Sequence, residues 1–225
     1  MGKKNDLFTT ILLTLHKHSV LNGLILIGSW CLHIYKTFFN NTPEIPLLRT
    51  LDIDFLIPDT SQIKSKVNIP ELLKTIGFEI VFSPSGYSRF THDDLDIDFL
   101  IPEVGRGRDK PLFIEKLNIT PQNLRFLSIL YENVITVEFN SIPVKVPEPA
   151  AFVIHKFLIS SRRKNTKKQL KDVSIATELT EFLLSIQNQK DKFLLIYQAM
   201  HSKWQKNAIK IIQKHSKQLF ELLSN

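Results

Sequence analysis

One cysteine, Cys31, stands among the 225 residues. A lone thiol excludes an internal disulfide framework and any multi-cysteine zinc site, and it suits a reducing compartment. The seven histidines include no H-x-x-x-H pair, so a zinc-hydrolase helix lacks its ligands. Long apolar runs are also missing. The Leu-Ile-Leu-Ile stretch at 24–27 falls far below a membrane span, and the leading Met-Gly-Lys-Lys-Asn-Asp has no apolar h-region. These absences predict a cytoplasmic protein with no membrane partner. What is present is an ordinary globular composition, 43% hydrophobic and 23% charged, sufficient for a core and incompatible with wholesale disorder.

Charge is unevenly placed. Residues 1–150 carry 15 Lys+Arg against 17 Asp+Glu, whereas residues 151–225 carry 14 against 5. A near-neutral acidic part is thus followed by a strongly basic one, and cationic excess on one segment points to a polyanionic partner or a solvated face.

The hydropathy pattern changes at the same place. Helical spacing of Leu7, Ile11, Leu12 and Leu15 predicts a helix over 5–18, followed by a strand over 21–27 and a helix over 30–39. Strands are predicted at 51–57, 78–82, 87–91 and 95–101, with a short helix at 70–76 and a loop at 103–109. The runs 134–139 and 142–146, joined by Asn140-Ser141, predict a hairpin. Beyond Pro147-Glu148-Pro149 only helical periodicity remains. Ile175, Leu179, Phe182, Leu183 and Ile186 share one face, as do Trp204, Ala208, Ile211, Ile212, His215 and Leu219 on a last helix. The expected organisation is an α/β (α+β) unit over 1–147 with a mixed sheet, then a basic helical bundle over 148–225.

The octapeptide Leu-Asp-Ile-Asp-Phe-Leu-Ile-Pro occurs twice, at 51–58 and 95–102. On a strand, residues two apart point the same way, so Asp52 and Asp54 share a face, and Asp96 and Asp98 do likewise. Paired carboxylates in an apolar strand repel one another and resist burial unless something positive sits between them. Hard divalent cations, which take oxygen ligands, meet that need. If the two strands lie side by side, the acids converge as a two-metal phosphoryl-transfer site requires. Spacing alone leaves a metal-dependent nuclease open.

Gly28-Ser29 falls where a strand turns into a helix. A glycine there admits close approach of a phosphate, and a helix start offers free N–H groups. Ser29 can donate to a phosphate or cap the helix. In order, Gly28-Ser29, then Thr50-Leu51-Asp52-Ile53-Asp54, then Leu95-Asp96-Ile97-Asp98 resembles the nucleotidyltransferase fold of the DNA polymerase β superfamily. Downstream, Lys156, Ser161-Arg162-Arg163 and Lys171-Asp172 resemble the helical half of the bacterial AbiEii- and MenT-type nucleotidyltransferase proteins. The resemblance spans about residues 20–190. It departs from the family at Gly28-Ser29-Trp30, where many members have Gly-Gly-Thr/Ser.

That resemblance implies transfer of a nucleoside monophosphate from an NTP to a hydroxyl. Asp52 and Asp54 would bind Mg²⁺ (or Mn²⁺), with Asp96 as third acid ahead of Asp98. Gly28, Ser29 and Thr50 would hold the nucleotide together with Lys156, Arg163 and Asp172, the last keeping Lys156 or an arginine in place. Partners implied are the NTP, an RNA such as tRNA as acceptor, and an antitoxin protein if the chain is toxin-like. Two further readings stay open: a nucleic-acid-binding module without catalysis, and an antibiotic-modifying nucleotidyltransferase.

Lys203, Lys206, Lys210, Lys214 and Lys217 draw a cationic stripe along the last helix, and 162–171 hold a second basic cluster. Phosphate backbones bind such surfaces, but no aromatics are interleaved with these lysines to stack bases.

Overall fold

Alternation of Asp with Ile and Phe in the two octapeptides produces two strands, each acidic on one face and apolar on the other. The computed structural model of the protein describes residues 2–46, 50–64, 66–103, 105 and 111–224. It places β2 (Asp52–Leu56) and β5 (Asp96–Pro102) side by side and parallel, with Asp52 opposite Asp96 and Asp54 opposite Asp98. β1 (Ile25–Ile27) pairs antiparallel with the far edge of β2. On the other side, β4 (Ser88–Thr91) pairs antiparallel with β5, and β3 (Glu79–Phe82) with β4. The sheet is therefore mixed, in the order β1-β2-β5-β4-β3, as expected.

The face opposite the acids is apolar and dry. Ile53, Phe55, Phe90, Ile97 and Phe99 are fully buried there, with the Phe55 and Phe99 rings 5.8 Å apart and Phe90 edge-on to Phe99. α1 (Gly2–Lys17) and α2 (Cys31–Phe38) contribute Phe8, Ile11, Leu12, Leu15, Leu32 and Tyr35 to the same core, as does Cys31. The Cys31 thiol donates to the Leu26 carbonyl at 3.3 Å, the behaviour of a packed thiol. α3 (Ile69–Lys74) is capped by Asn68, whose side chain accepts from the Glu71 N–H.

Three expectations are refined. The strand over 21–27 begins only at Ile25, because the Gly23 and Leu24 N–H groups close a tight turn onto Val20 and Leu21, both at 3.0 Å. β6 (Gln122–Leu124) has no apolar alternation to announce it. It forms because β5 runs beyond β4 and offers its edge over Leu100–Pro102. A single turn of helix, α4 (Ser128–Tyr131), follows it. The hairpin is present as β7 (Val134–Phe139) and β8 (Ile142–Pro147). Asn140 and Ser141 both take positive φ, 50° and 61°, as a two-residue turn matched to strand twist requires.

The C-terminal helices surround α5 (Pro149–Ser160), which opens with Pro at its first turn and is buried nearly all round. Around it lie α6 (Thr166–Leu183), capped by Asn165, α7 (Gln187–Ala199) and α8 (Ser202–His215). The last predicted helix is in fact two. The extended backbone of Ser216 ends α8, and α9 (Lys217–Ser224) begins afresh, so Lys217 and Leu219 leave the stripe and face predicted for one helix. One hydrophobic cluster contains residues from α1 through α9, and the buried Tyr35 hydroxyl donates to the Pro147 carbonyl at 2.8 Å.

Candidate functional site

Register alone assembles the acidic face. One row across the sheet reads Ile27, Asp54, Asp98, Arg89; the next row on that face reads Asp52, Asp96, Thr91. The convergence expected of the twin octapeptides is thus present. Beyond the acids, Leu56, Leu100, Ile25 and Ile27 continue the same face as a small apolar cluster roofed by Leu127 and Leu130.

Arg89, unmarked by any motif in the sequence, is the positive group between the acids. Its Nη2 makes ion pairs with Asp52, with Asp96 at 3.2 Å and with Asp98 at 3.4 Å, while its buried Nε has no hydrogen-bond partner among the described residues. The only signal available was an arginine at a strand position facing the same way as the acids. Burial, followed by the charges of Asp98 and Asp52, raises the Asp54 pKa to about 6, against the opposing influence of Lys156 and Arg163. Burial likewise pushes Asp98 up, partly offset by Arg89.

No trio of acidic, histidine or cysteine side chains among the described residues is already gathered around one point for an ion. The donor set nevertheless suits a hard dication. It consists of carboxylate oxygens, with Asp52, Asp96 and Asp98 each paired to Arg89 Nη2, and burial together with the charges of Asp98 and Asp52 holds Asp54 back from ionising.

Gly28 closes the site from the side of β1. It sits at φ +73°, the left-handed region that favours glycine, and a Cβ there would collide with Asp54 Oδ2. The turn Gly28–Trp30 leads directly into α2, with Ser29 buried and no side-chain cap at either start, so of the two alternatives for Ser29 the cap is not taken up. Gly28→Ala is expected to reduce stability by roughly 1–3 kcal/mol from the strained backbone and the displaced carboxylate. Urea unfolding of the two proteins checks this.

Opposite stands a buried ion-pair unit. Lys156 Nζ on α5 lies 2.6 Å from Asp172 Oδ1 on α6, and Arg163 Nε lies 2.8 Å from Asp172 Oδ2. Lys156 and Arg163 do not share a helix. α5 ends at Ser160, and Arg163 reaches Asp172 from the turn that follows. Burial would raise the Asp172 pKa, but Lys156 and Arg163 together hold it below the ordinary carboxylate value. Neighbouring His155 is buried, and burial followed by the Lys156 charge pushes its pKa down to about 3, so it stays neutral.

Thr50 lies just ahead of β2, outside the strand. His92 is a turn histidine, its Nδ1 accepting from the Asp94 N–H at 3.1 Å. In the Gly105-Arg106-Gly107-Arg108 stretch, only Gly105 falls within the described residues.

A family model described as nucleotidyltransferase matches residues 7–202. No curated protein matches the chain. Among solved structures, an antigenic nucleotidyltransferase-like protein from Paracoccidioides brasiliensis is similar at 16% identity and a TM-score of 0.51, over 98% of this chain and 93% of that one. At that identity the likeness is one of fold. The solution structure of the antibiotic-resistance factor ANT(2'')-Ia is also similar, at 10% identity and a TM-score of 0.37, over 96% of this chain and 90% of that one.

Proposed function

The chain belongs to the nucleotidyltransferase family, and from that premise we propose that it moves a nucleoside monophosphate from an NTP to a hydroxyl of an RNA or protein acceptor. The α phosphorus gains a bond to the acceptor oxygen and loses its bond to the β-bridging oxygen, so pyrophosphate leaves. The observation that carries this reading is the register of the two acidic octapeptides, which brings four aspartates onto one face beside a glycine of positive φ.

In this reading residues 1–147 are the catalytic unit and residues 148–225 a basic helical one. Asp52, Asp54 and Asp96 would hold Mg²⁺ (or Mn²⁺), with Asp98 beside them. The bound ion supplies charge neutralisation for the triphosphate. The carboxylate of Asp96 orients the acceptor hydroxyl and takes its proton. Gly28 and Ser29 would offer backbone N–H groups and a hydroxyl to the β- and γ-phosphates, with Thr50, just ahead of β2, as a further nucleotide contact. Lys156 is 7% exposed and tied to Asp172, so it adds positive charge from behind the carboxylates. Arg163, 40% exposed, is the member of that unit able to reach a phosphate. Kinship with the AbiEii- and MenT-type proteins would make the activity toxin-like.

The test is incubation of the protein with each α-labelled NTP, Mg²⁺ and total RNA, alongside Asp52→Ala/Asp54→Ala. Label on RNA or protein with the wild type alone supports the proposal. Shortened RNA without label indicates a nuclease. Label on a small-molecule antibiotic alone, in a parallel reaction, moves the acceptor to small molecules.

A further inference from the structure

A second concavity lies farther along the acidic face of the sheet. It has a volume of about 460 Å³ and is lined by Leu124, Phe126, Tyr131, Arg162, Lys203 and Trp204. Pro102 borders it. Along β5, Asp98, Leu100 and Pro102 alternate onto one face, so the cavity begins about 13 Å from the acids at 3.3 Å per residue.

Its walls combine aromatic rings, cations and one carboxylate, Glu103, which pairs with Arg125 at 3.3 Å. The Phe126 and Trp204 rings meet edge-on at 5.0 Å, and the Arg162 guanidinium lies 4.4 Å from the centre of the Phe126 ring. Phe126 holds this position at φ +68°, a conformation that a bulky side chain rarely takes and that clusters at ligand sites. Lys203 and Arg162 are exposed at the rim. From Lys203 the exposed lysines Lys206, Lys210 and Lys214 continue along α8, a track of about 16 Å at 1.5 Å per residue. Of the stacking residues, Phe126 comes from the segment after β6 and Trp204 from α8 itself, next to Lys203.

We propose that this cavity receives a base of the acceptor, a single-stranded RNA whose phosphates follow the α8 lysines. The proposal rests on the transferase reading and names its acceptor class. Aromatic faces stack any base, an arginine over an aromatic ring can also hold a phosphate, and a row of lysines fits a polymer better than a mononucleotide. The separation from the acids leaves the NTP its own place at Gly28 and the carboxylates.

The probe is a fluorescein-labelled 12-mer of single-stranded RNA, titrated into the full chain and followed by anisotropy and tryptophan fluorescence. Wild type is expected to bind with quenching of Trp204, and with affinity that falls steeply between 50 and 200 mM salt, on the order of 10²-fold or more. Trp204→Ala is expected to weaken binding about tenfold or more. Arg162→Gln, an exposed change that spares the core, weakens it several-fold, and Lys206→Gln/Lys210→Gln flattens the salt dependence. Asp52→Ala/Asp54→Ala retains RNA binding while losing label transfer. RNA bound equally well by Trp204→Ala and Arg162→Gln overturns the proposal. So does quenching of Trp204 by ATP with Mg²⁺ but not by RNA, which would make the cavity the donor's base site. RNA binding that depends on Trp204 and Arg162 in a protein that transfers nothing refutes the transferase reading and leaves the RNA site standing.

Discussion

Asp54→Asn is expected to abolish measurable nucleotide transfer and, in metal-free protein, to raise the melting temperature. The loss of activity follows from removing a carboxylate that would hold the divalent ion neutralising the triphosphate, about 10²–10³-fold for a single electrostatic group in a preorganised site. Because the carboxylates act as a unit, Asp52→Ala/Asp54→Ala should lose little more than either single change. The gain in stability follows from the pKa of Asp54, raised to about 6 by burial and by Asp98 and Asp52. A carboxyl with a folded pKa above its unfolded value holds its proton more tightly when folded. Its ionisation therefore weakens the fold progressively as pH rises from about 4 through 6. Asparagine carries no such charge. The variant's advantage should be absent near pH 4 and complete above about pH 7, on the order of 3 kcal/mol, or roughly 9 °C for a chain of this size. Thermal melts in EDTA across that range test it. A variant less stable than wild type at pH 7 would mean that Lys156 and Arg163 already compensate Asp54 fully.

Asp172→Ala carries the largest expected loss of stability. It removes the ion-pair partner of Lys156, 7% exposed, and frees Arg163 from the same acid. Breaking a buried pair from one side costs about 3–5 kcal/mol, which corresponds to a fall of roughly 10 °C. Because the Asp172 pKa is held below its ordinary value, its stabilising contribution is present above that value and lost as pH falls through the lower folded one. The difference between wild type and Asp172→Asn should therefore shrink on acidification. Adding Lys156→Met to Asp172→Ala removes the uncompensated charge and should recover much of the stability. Transfer should not return with it if the Lys156 charge serves the reaction. Denaturant midpoints and label-transfer rates on the same samples separate the two roles.

The way the acids came to light shows what a linear pattern can carry. Alternation of Asp with Ile and Phe is a local property of each octapeptide, and it defines strand, face and buried side without knowledge of any neighbour. The change from strand to helix at Pro147-Glu148-Pro149 and the Asn140-Ser141 turn are legible for the same reason: backbone preference there is intrinsic to the residues. Arg89 was invisible because its importance lies in what stands opposite it. Within Ser88-Arg89-Phe90-Thr91 nothing distinguishes it from a solvated strand arginine, and only the pairing of β4 with β5 sets it against Asp98. β6 escaped because its pairing answers an exposed edge of β5 rather than any preference of Gln-Asn-Leu. The break at Ser216 escaped because the lysine spacing runs through it without interruption.

The sequence by itself determined most of the strands and helices, where the chain changes from mixed α/β to helical, and that two pairs of aspartates each share a face. Those are consequences of short-range periodicity and backbone preference. Only the tertiary structure decided that the pairs stand in register on adjacent parallel strands, that Arg89 fills the space between them, and that Phe126 meets Trp204 and Arg162 around one cavity. Those depend on which distant segments pack together, a choice made by burial of the shared apolar core rather than by the residues that form the sites.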